Sequence, residues 1–198
     1  MSEKYKNVTI KGSTYPDEAI NNEQRITFSK EMINEYIPCI EKMGLPRGLK
    51  LLCVIMAHKE GYYKGTRSYR TNNPGNIGNT DSGSNSKLPN LQSGINAQVK
   101  YITRIINAQH PAYPMNKRVL IKPFYSKEIA ENQKTYGGKS PYLAGYDFKF
   151  TGQLDQFVKI YSTGARNGNG YLSMIISFFK NHGIELTPES KLQDIVKL

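Results

Sequence analysis

The chain has 198 residues, 38% hydrophobic and 22% charged, which is enough apolar material for one domain with a sizeable core and excludes a chain disordered throughout. Lys and Arg outnumber Asp and Glu by 27 to 16, a formal charge of +11; such a surface attracts anions, and charge alone does not choose between nucleic acid, a membrane surface and an anionic cell-wall polymer. The opening Met1-Ser2-Glu3-Lys4-Tyr5-Lys6 lacks the apolar stretch of an export signal, and no later segment has the apolar length of a membrane span, so the sequence predicts a soluble protein without a recognisable signal peptide.

Residues 1–28 are polar, carry a turn signal at Gly12-Ser13-Thr14-Tyr15-Pro16 and show no sustained period; they read as an N-terminal arm suited to attachment, ahead of one domain over 29–198. From Ser29, a candidate N-cap, Met32, Ile33, Tyr36, Ile37, Ile40 and Met43 follow helical spacing as far as Gly44, with Pro38 expected to kink or split the helix. The next helix runs from Leu45 to Lys59, opened by Pro46 and closed by Gly61. It is apolar on more than one face, which predicts a central, buried helix.

Over residues 61–90 the periodicity vanishes and Gly, Asn and Ser dominate, a loop long enough to be functional, with Ser68 to Thr71 as a candidate strand of a small hairpin. Leu91 to Ile106 is predicted as an amphipathic helix with Lys100 and Arg104 on its outer face. From Pro111 to about Gly138, Lys117, Arg118, Lys122 and Lys127 lie among Tyr113, Phe124 and Tyr125, a mixture that suits base or sugar stacking as well as core packing. A helix over Gly152 to Tyr161, a turn over Ser162 to Gly170, an apolar helix over Tyr171 to Asn181 and a last helix from Thr187 to Val196 complete the chain. Cys39 and Cys53 sit in apolar surroundings and are expected to be free thiols. His58, His110 and His182 have no ligand spacing, so neither metal nor cofactor is expected.

The chemistry gathers at Glu60. A carboxylate in the last turn of a helix meets the negative end of the helix dipole, and apolar neighbours also disfavour its charge, so its pKa should rise. A glutamic acid that keeps its proton can donate it to a leaving oxygen, the step that begins glycoside cleavage. From helix position alone the alternative is a solvated helix end. Downstream, Asn72, Asn73 and Asn76 carry amides that donate and accept at once, suited to the N-acetyl and hydroxyl groups of an aminosugar, and Pro74-Gly75 shapes the turn between them. Ser68, Tyr69 and Arg70 could line the same cleft, with Arg70 facing a carboxylate.

The stretch Glu60-Gly61-Tyr62-Tyr63-Lys64-Gly65-Thr66-Arg67-Ser68-Tyr69-Arg70-Thr71-Asn72-Asn73-Pro74-Gly75-Asn76-Ile77 resembles the motif of phage and bacterial lysozyme-like muralytic enzymes, in which a helix ends in the catalytic Glu and an Asn-Asn-Pro-Gly-Asn-Ile turn follows. It resembles the glucosaminidase pattern more distantly. Ile160-Tyr161-Ser162-Thr163-Gly164 is similar to the Ala-Tyr-Asn-x-Gly segment of lytic transglycosylases, whose tyrosine lies against the glutamate; Tyr161 and Gly164 match, while Ser162 and Ile160 depart from it. A tyrosine packing a helix end into the core is the alternative for Tyr161.

The resemblance implies a mainly α (α+β), lysozyme-like domain: a helical bundle with a small irregular or β-containing lobe at 61–90. It implies cleavage of the β-1,4 bond between N-acetylmuramic acid and N-acetylglucosamine in peptidoglycan, by a phage-encoded protein made in a host cytoplasm or carried in a virion, alongside other virion proteins, and acting at the cell wall. Hydrolases of this kind need a second carboxylate. Asp81 is the nearest candidate, although Thr80-Asp81-Ser82-Gly83 also reads as an ordinary turn. Without one, Glu60 can act alone as acid and then base, as in lytic transglycosylases. Two other readings stand beside it: a non-catalytic virion or wall-binding protein of the same fold, and a nucleic-acid-binding protein using residues 100–127, which carries no recognised nucleic-acid motif.

Overall fold

A computed structural model describes residues 8–11, 23–26, 28–78, 86–122, 124–125, 142–143, 145–161 and 165–198. In chain order the elements are strands β1 (Val8–Lys11) and β2 (Glu23–Ile26); a π-helical turn (Met32–Tyr36) leading into α1 (Ile37–Glu41); α2 (Arg47–Lys59); the single turn α3 (Arg67–Arg70); α4 (Leu91–Ile106); β3 (Arg118–Ile121), β4 (Phe124–Tyr125), β5 (Tyr142–Leu143) and β6 (Tyr146–Lys149); then α5 (Leu154–Tyr161), α6 (Ala165–Lys180) and α7 (Leu192–Ile195). The strands form three separate antiparallel pairs, β1 with β2, β3 with β6 and β4 with β5, so the architecture is mainly helical.

α2 is the axis of the core. Every side chain from Leu51 to Ala57 is fully buried, as an all-round apolar helix requires. It is covered by α1, α4 and α6. Ile95, Ile102 and Ile105 of α4 and Ile175, Phe178 and Phe179 of α6 are fully buried with it. Ile26 and Phe28, which the sequence places in the N-terminal arm, are buried in this core too, Phe28 meeting the edges of His58 and Phe178. Two glycines allow backbones to touch. A Cβ on Gly48, at the start of α2, would lie 1.8 Å from the Ile195 carbonyl oxygen of α7, and one on Gly94 of α4 would lie 1.8 Å from the Asn72 carbonyl oxygen.

The helix begun at Ser29, whose Oγ accepts the Met32 N–H at 3.0 Å, is interrupted ahead of Pro38 as expected, while several other expectations need correction. Pro38 has no N–H to give, and the chain takes a wider turn before it, with the Ile37 N–H reaching back to the Met32 carbonyl. Ser68 to Thr71 is not a strand. The Thr66 hydroxyl accepts the Tyr69 N–H, the Thr71 hydroxyl donates to the Arg67 carbonyl, and the segment closes into α3. No strand occurs among the described residues of 61–90, so the β content of the molecule lies elsewhere, notably at 118–149. There β3 and β4 occupy part of the basic, aromatic stretch, whose residues 126–138 lie outside the described ones. Residues 165–170, read as part of a turn, are the first turns of α6; 162–164 lie outside the described residues. The last helix shrinks to Leu192–Ile195. Thr187 and Ser190 bond each other in a turn, and the Pro188 and Ser190 carbonyls accept the Asp155 and Leu154 N–H groups, satisfying donors that the first turn of α5 would otherwise leave without partners.

Cys39 and Cys53 are free, Cys53 fully buried. No helix among the described residues is long and apolar enough to cross a membrane.

Candidate active site around Glu60

The position of Glu60 follows from how α2 stops. Gly61 adopts the left-handed conformation at φ +72°, its N–H bonds the His58 carbonyl, and the Tyr62 N–H bonds the Ala57 carbonyl at 3.2 Å. This is the Schellman pattern, which makes Glu60 the C-cap residue. Tyr62, next in line, is buried between Tyr36 and Tyr69, and its carbonyl accepts from the Ser29 hydroxyl at 2.8 Å. The backbone on both sides of Glu60 is therefore pinned.

Both carboxyl oxygens have donors. The Asn76 side-chain amide donates to Oε2 at 2.7 Å, and the Tyr171 hydroxyl donates to Oε1. Burial lifts the carboxyl above its ordinary pKa, against the opposing pull of these two bonds and of the Lys59 and Arg67 cations. The direction is the one the sequence predicts, with burial as the leading cause. Lys59 in turn lies with Nζ 5.4 Å from the centre of the Tyr171 ring, and burial lowers its pKa. His58, two residues earlier, is held neutral, its pKa pushed down to about 4 by burial. The resulting site has one carboxyl that holds its proton more tightly than an ordinary carboxylic acid, with hydrogen-bond donors that favour the charged form once the proton has left.

Asn76 is delivered by a rigid turn. Asn72 and Asn76 both take left-handed backbone conformations, φ +52° and +48°, which Asn tolerates better than most residues. Asn73 is fully buried and clamps the turn: its Oδ1 accepts the Ile77 N–H at 3.0 Å while its Nδ2 donates to the Ile77 carbonyl at 2.9 Å. The Asn72 amide donates to the Leu88 carbonyl at 3.0 Å.

The structure thus divides the residues proposed to hold substrate. Asn76 faces Glu60, whereas Asn72 and Asn73 direct their amides into the fold. Ser68 is buried and donates to the Gly61 carbonyl at 3.0 Å. The Tyr69 hydroxyl donates to Glu35, and the exposed Arg70 donates to the Gly65 carbonyl at 2.7 Å. The cations that act on Glu60 are Lys59 and Arg67, while Arg70 is the one read from sequence as facing a lactyl or peptide carboxylate of a substrate. Asp81 lies outside the described residues.

Two tyrosines stand near Glu60. The Tyr161 hydroxyl donates to the Gly75 carbonyl at 2.7 Å, so it bonds the Asn76 turn, and it lies within electrostatic reach of the carboxyl without a hydrogen bond to it. Tyr171, whose ring centre is 6.4 Å from that of Tyr161, is the tyrosine on Glu60. Sequence reasoning takes Tyr171 for the first apolar position of a helix. The available signal was its hydroxyl: within a stripe that buries Ile175, Phe178 and Phe179, a phenol needs a polar partner. Compared with known protein families, characterised proteins and solved structures, the chain matches none.

Proposed function

We propose that this chain is a peptidoglycan-degrading enzyme of the lytic transglycosylase type, cleaving the β-1,4 bond between N-acetylmuramic acid and N-acetylglucosamine with Glu60 as its single acid and base. What supports this is the state of one carboxyl group: half-buried at a helix C-cap, held above the ordinary carboxylate pKa, and bonded on both oxygens by neutral donors. In the first step protonated Glu60 gives its proton to the glycosidic oxygen. The Asn76 amide and the Tyr171 hydroxyl then steady the carboxylate left behind. In the second step that carboxylate takes the proton of the muramic 6-hydroxyl, whose oxygen attacks the anomeric carbon and closes an anhydro ring. Among the described residues, which do not include Asp81, the groups acting on Glu60 are Tyr171, Asn76, Lys59 and Arg67, none of them a carboxylate. Lys59 and Arg67 would also suit the carboxylates of muramic acid and its stem peptide, and the net charge of +11 suits an anionic wall. The lysozyme-like fold and a phage virion or lysing host as the setting belong to the same proposal, and rest on the motif from Glu60 to Ile77.

Digestion of purified peptidoglycan followed by mass spectrometry tests it. Anhydro-muropeptides, one water lighter than hydrolysed ones, are expected from the unmutated protein, with their release greatly reduced in Glu60→Gln. Reducing ends would mark a hydrolase, and release of no muropeptide by the unmutated protein would overturn the enzymatic reading.

A further inference from the structure

Gln98 is fully buried in α4 and lies outside the motifs the sequence offers. A buried amide needs partners for one acceptor and two donor hydrogens. Its Oε1 accepts from the Tyr36 hydroxyl at 2.7 Å, and its Nε2 donates to the Cys53 carbonyl of α2 at 3.1 Å. The Tyr161 hydroxyl donates to the Gly75 carbonyl at 2.7 Å. The Gln98 stem also abuts the turn directly: a Cβ on Gly75 would lie 2.8 Å from Gln98 Cγ and 3.0 Å from Tyr161 Oη. Gly75 immediately precedes Asn76, the amide donor to Glu60 Oε2.

We propose that Gln98 and Tyr161 are positioning residues that fix the Asn76 amide against Glu60 by holding Gly75 from two sides, Gln98 by its stem, itself anchored on Tyr36 and the Cys53 carbonyl, and Tyr161 by its hydrogen bond to the Gly75 carbonyl. The inference rests on Glu60 being the functional acid of the proposed reaction, but its structural half stands apart from catalysis. Among the described residues the other groups facing Glu60 are Lys59 of α2, Arg67 of α3 and Tyr171 of α6; the Tyr171 ring also meets that of Tyr161, and Tyr161 itself lies within electrostatic reach of the carboxyl. A purely packing role for Gln98 would change stability without changing the titration of one carboxyl.

The test is carbon-13 NMR titration of the Glu60 carboxyl in the folded protein, unmutated and as Tyr161→Phe, Tyr36→Phe, Gln98→Met, Asn76→Ala and the Tyr161→Phe/Asn76→Ala double variant. The Asn76 bond favours the charged carboxylate, so each single variant should move the Glu60 titration to higher pH, and the double should move no further than Asn76→Ala alone. On peptidoglycan, Tyr161→Phe should lower kcat about tenfold with KM near that of the unmutated protein. A titration unmoved in Tyr161→Phe and Tyr36→Phe, or shifts that simply add in the double variant, would overturn the proposal. Tyr161→Phe removes one oxygen and decides the matter even if Gln98→Met does not fold. An unmutated protein that releases no muropeptide yet shows the shifts would remove the enzymatic reading and leave the positioning contacts in place.

Discussion

Glu60 and Asp147 are each held by two hydrogen-bond contacts, yet their proton affinities move in opposite directions. Asp147, exposed on β6, accepts from Arg118 Nε at 2.8 Å and from Nη2 at 2.5 Å, and this guanidinium holds its carboxyl below the usual range. Glu60 accepts from a phenol and an amide, and burial holds its carboxyl above the usual range despite those bonds. The number of bonds is the same. What differs is the surrounding medium and the charge of the donor: in water a paired cation makes ionisation easier, while beside a core, neutral donors only reduce the penalty of a charge that burial disfavours. The first arrangement makes a quiet ion pair and the second an acid.

The largest effect should come from removing the acid. Glu60→Gln is expected to lower muropeptide release by roughly 10²–10⁴-fold, the usual contribution of a general acid. The same variant should be the more stable protein at neutral pH. Because the native carboxyl binds its proton more tightly than the unfolded one, stability falls as pH rises from the ordinary carboxylate value through the raised native value. The melting temperature of Glu60→Gln should therefore exceed that of the parent above this interval and converge with it below. Equal melting temperatures across pH would mean that burial is not what distinguishes Glu60 from Asp147.

Tyr171→Phe comes next. Loss of a hydrogen bond to a charged group, worth about 1.5–3 kcal/mol, should cost about ten- to a hundredfold in kcat. It should also move the alkaline limb of the pH–rate profile upward, since the phenol favours the ionised form. A variant with normal activity and an unmoved limb would separate Tyr171 from the chemistry. Gly75→Ala should lose about 1–3 kcal/mol in urea denaturation, as the added methyl meets Gln98 and Tyr161 with no open side to move into. The smallest effect belongs to the other carboxylate. Arg118→Ala should leave activity and the neutral-pH melting temperature close to the parent's, because an exposed ion pair contributes little.

The parts of the fold that sequence revealed are those in which local signals and burial agree. α4 occupies the residues its apolar spacing predicts, capped by Asn90, whose side chain accepts the Ser93 N–H at 2.8 Å. α2 ends where Gly61 can turn left-handed. Where the two disagree, local reading failed. The start of α6 is built from Gly and Asn, poor helix formers, and its helical state follows from the buried residues beyond it. β3 and β6 are short, and Val119 is the single fully enclosed side chain of their pairing, too little alternation to announce a strand. In the site, Glu60 and Asn76 were legible because they share one stretch of chain. Tyr171 was not, since 111 positions separate it from Glu60 and only the packing of α6 on α2 brings the two together.

The close approach of Gly48 to Ile195 gives α2 a second anchor. At one end the helix is fastened by its glycine cap and the Asn76 turn; at the other, its first turn rests on the carbonyl of Ile195 with no side chain between. Gly48 and Glu60 lie twelve residues apart, about 18 Å along the axis at helical rise. A rod clamped at both ends can shift neither lengthwise nor about its own axis without breaking one clamp. A bulky residue at position 48 would therefore push on the whole rod, and the carboxyl at its far end would register a disturbance arising well away from its own hydrogen-bond partners.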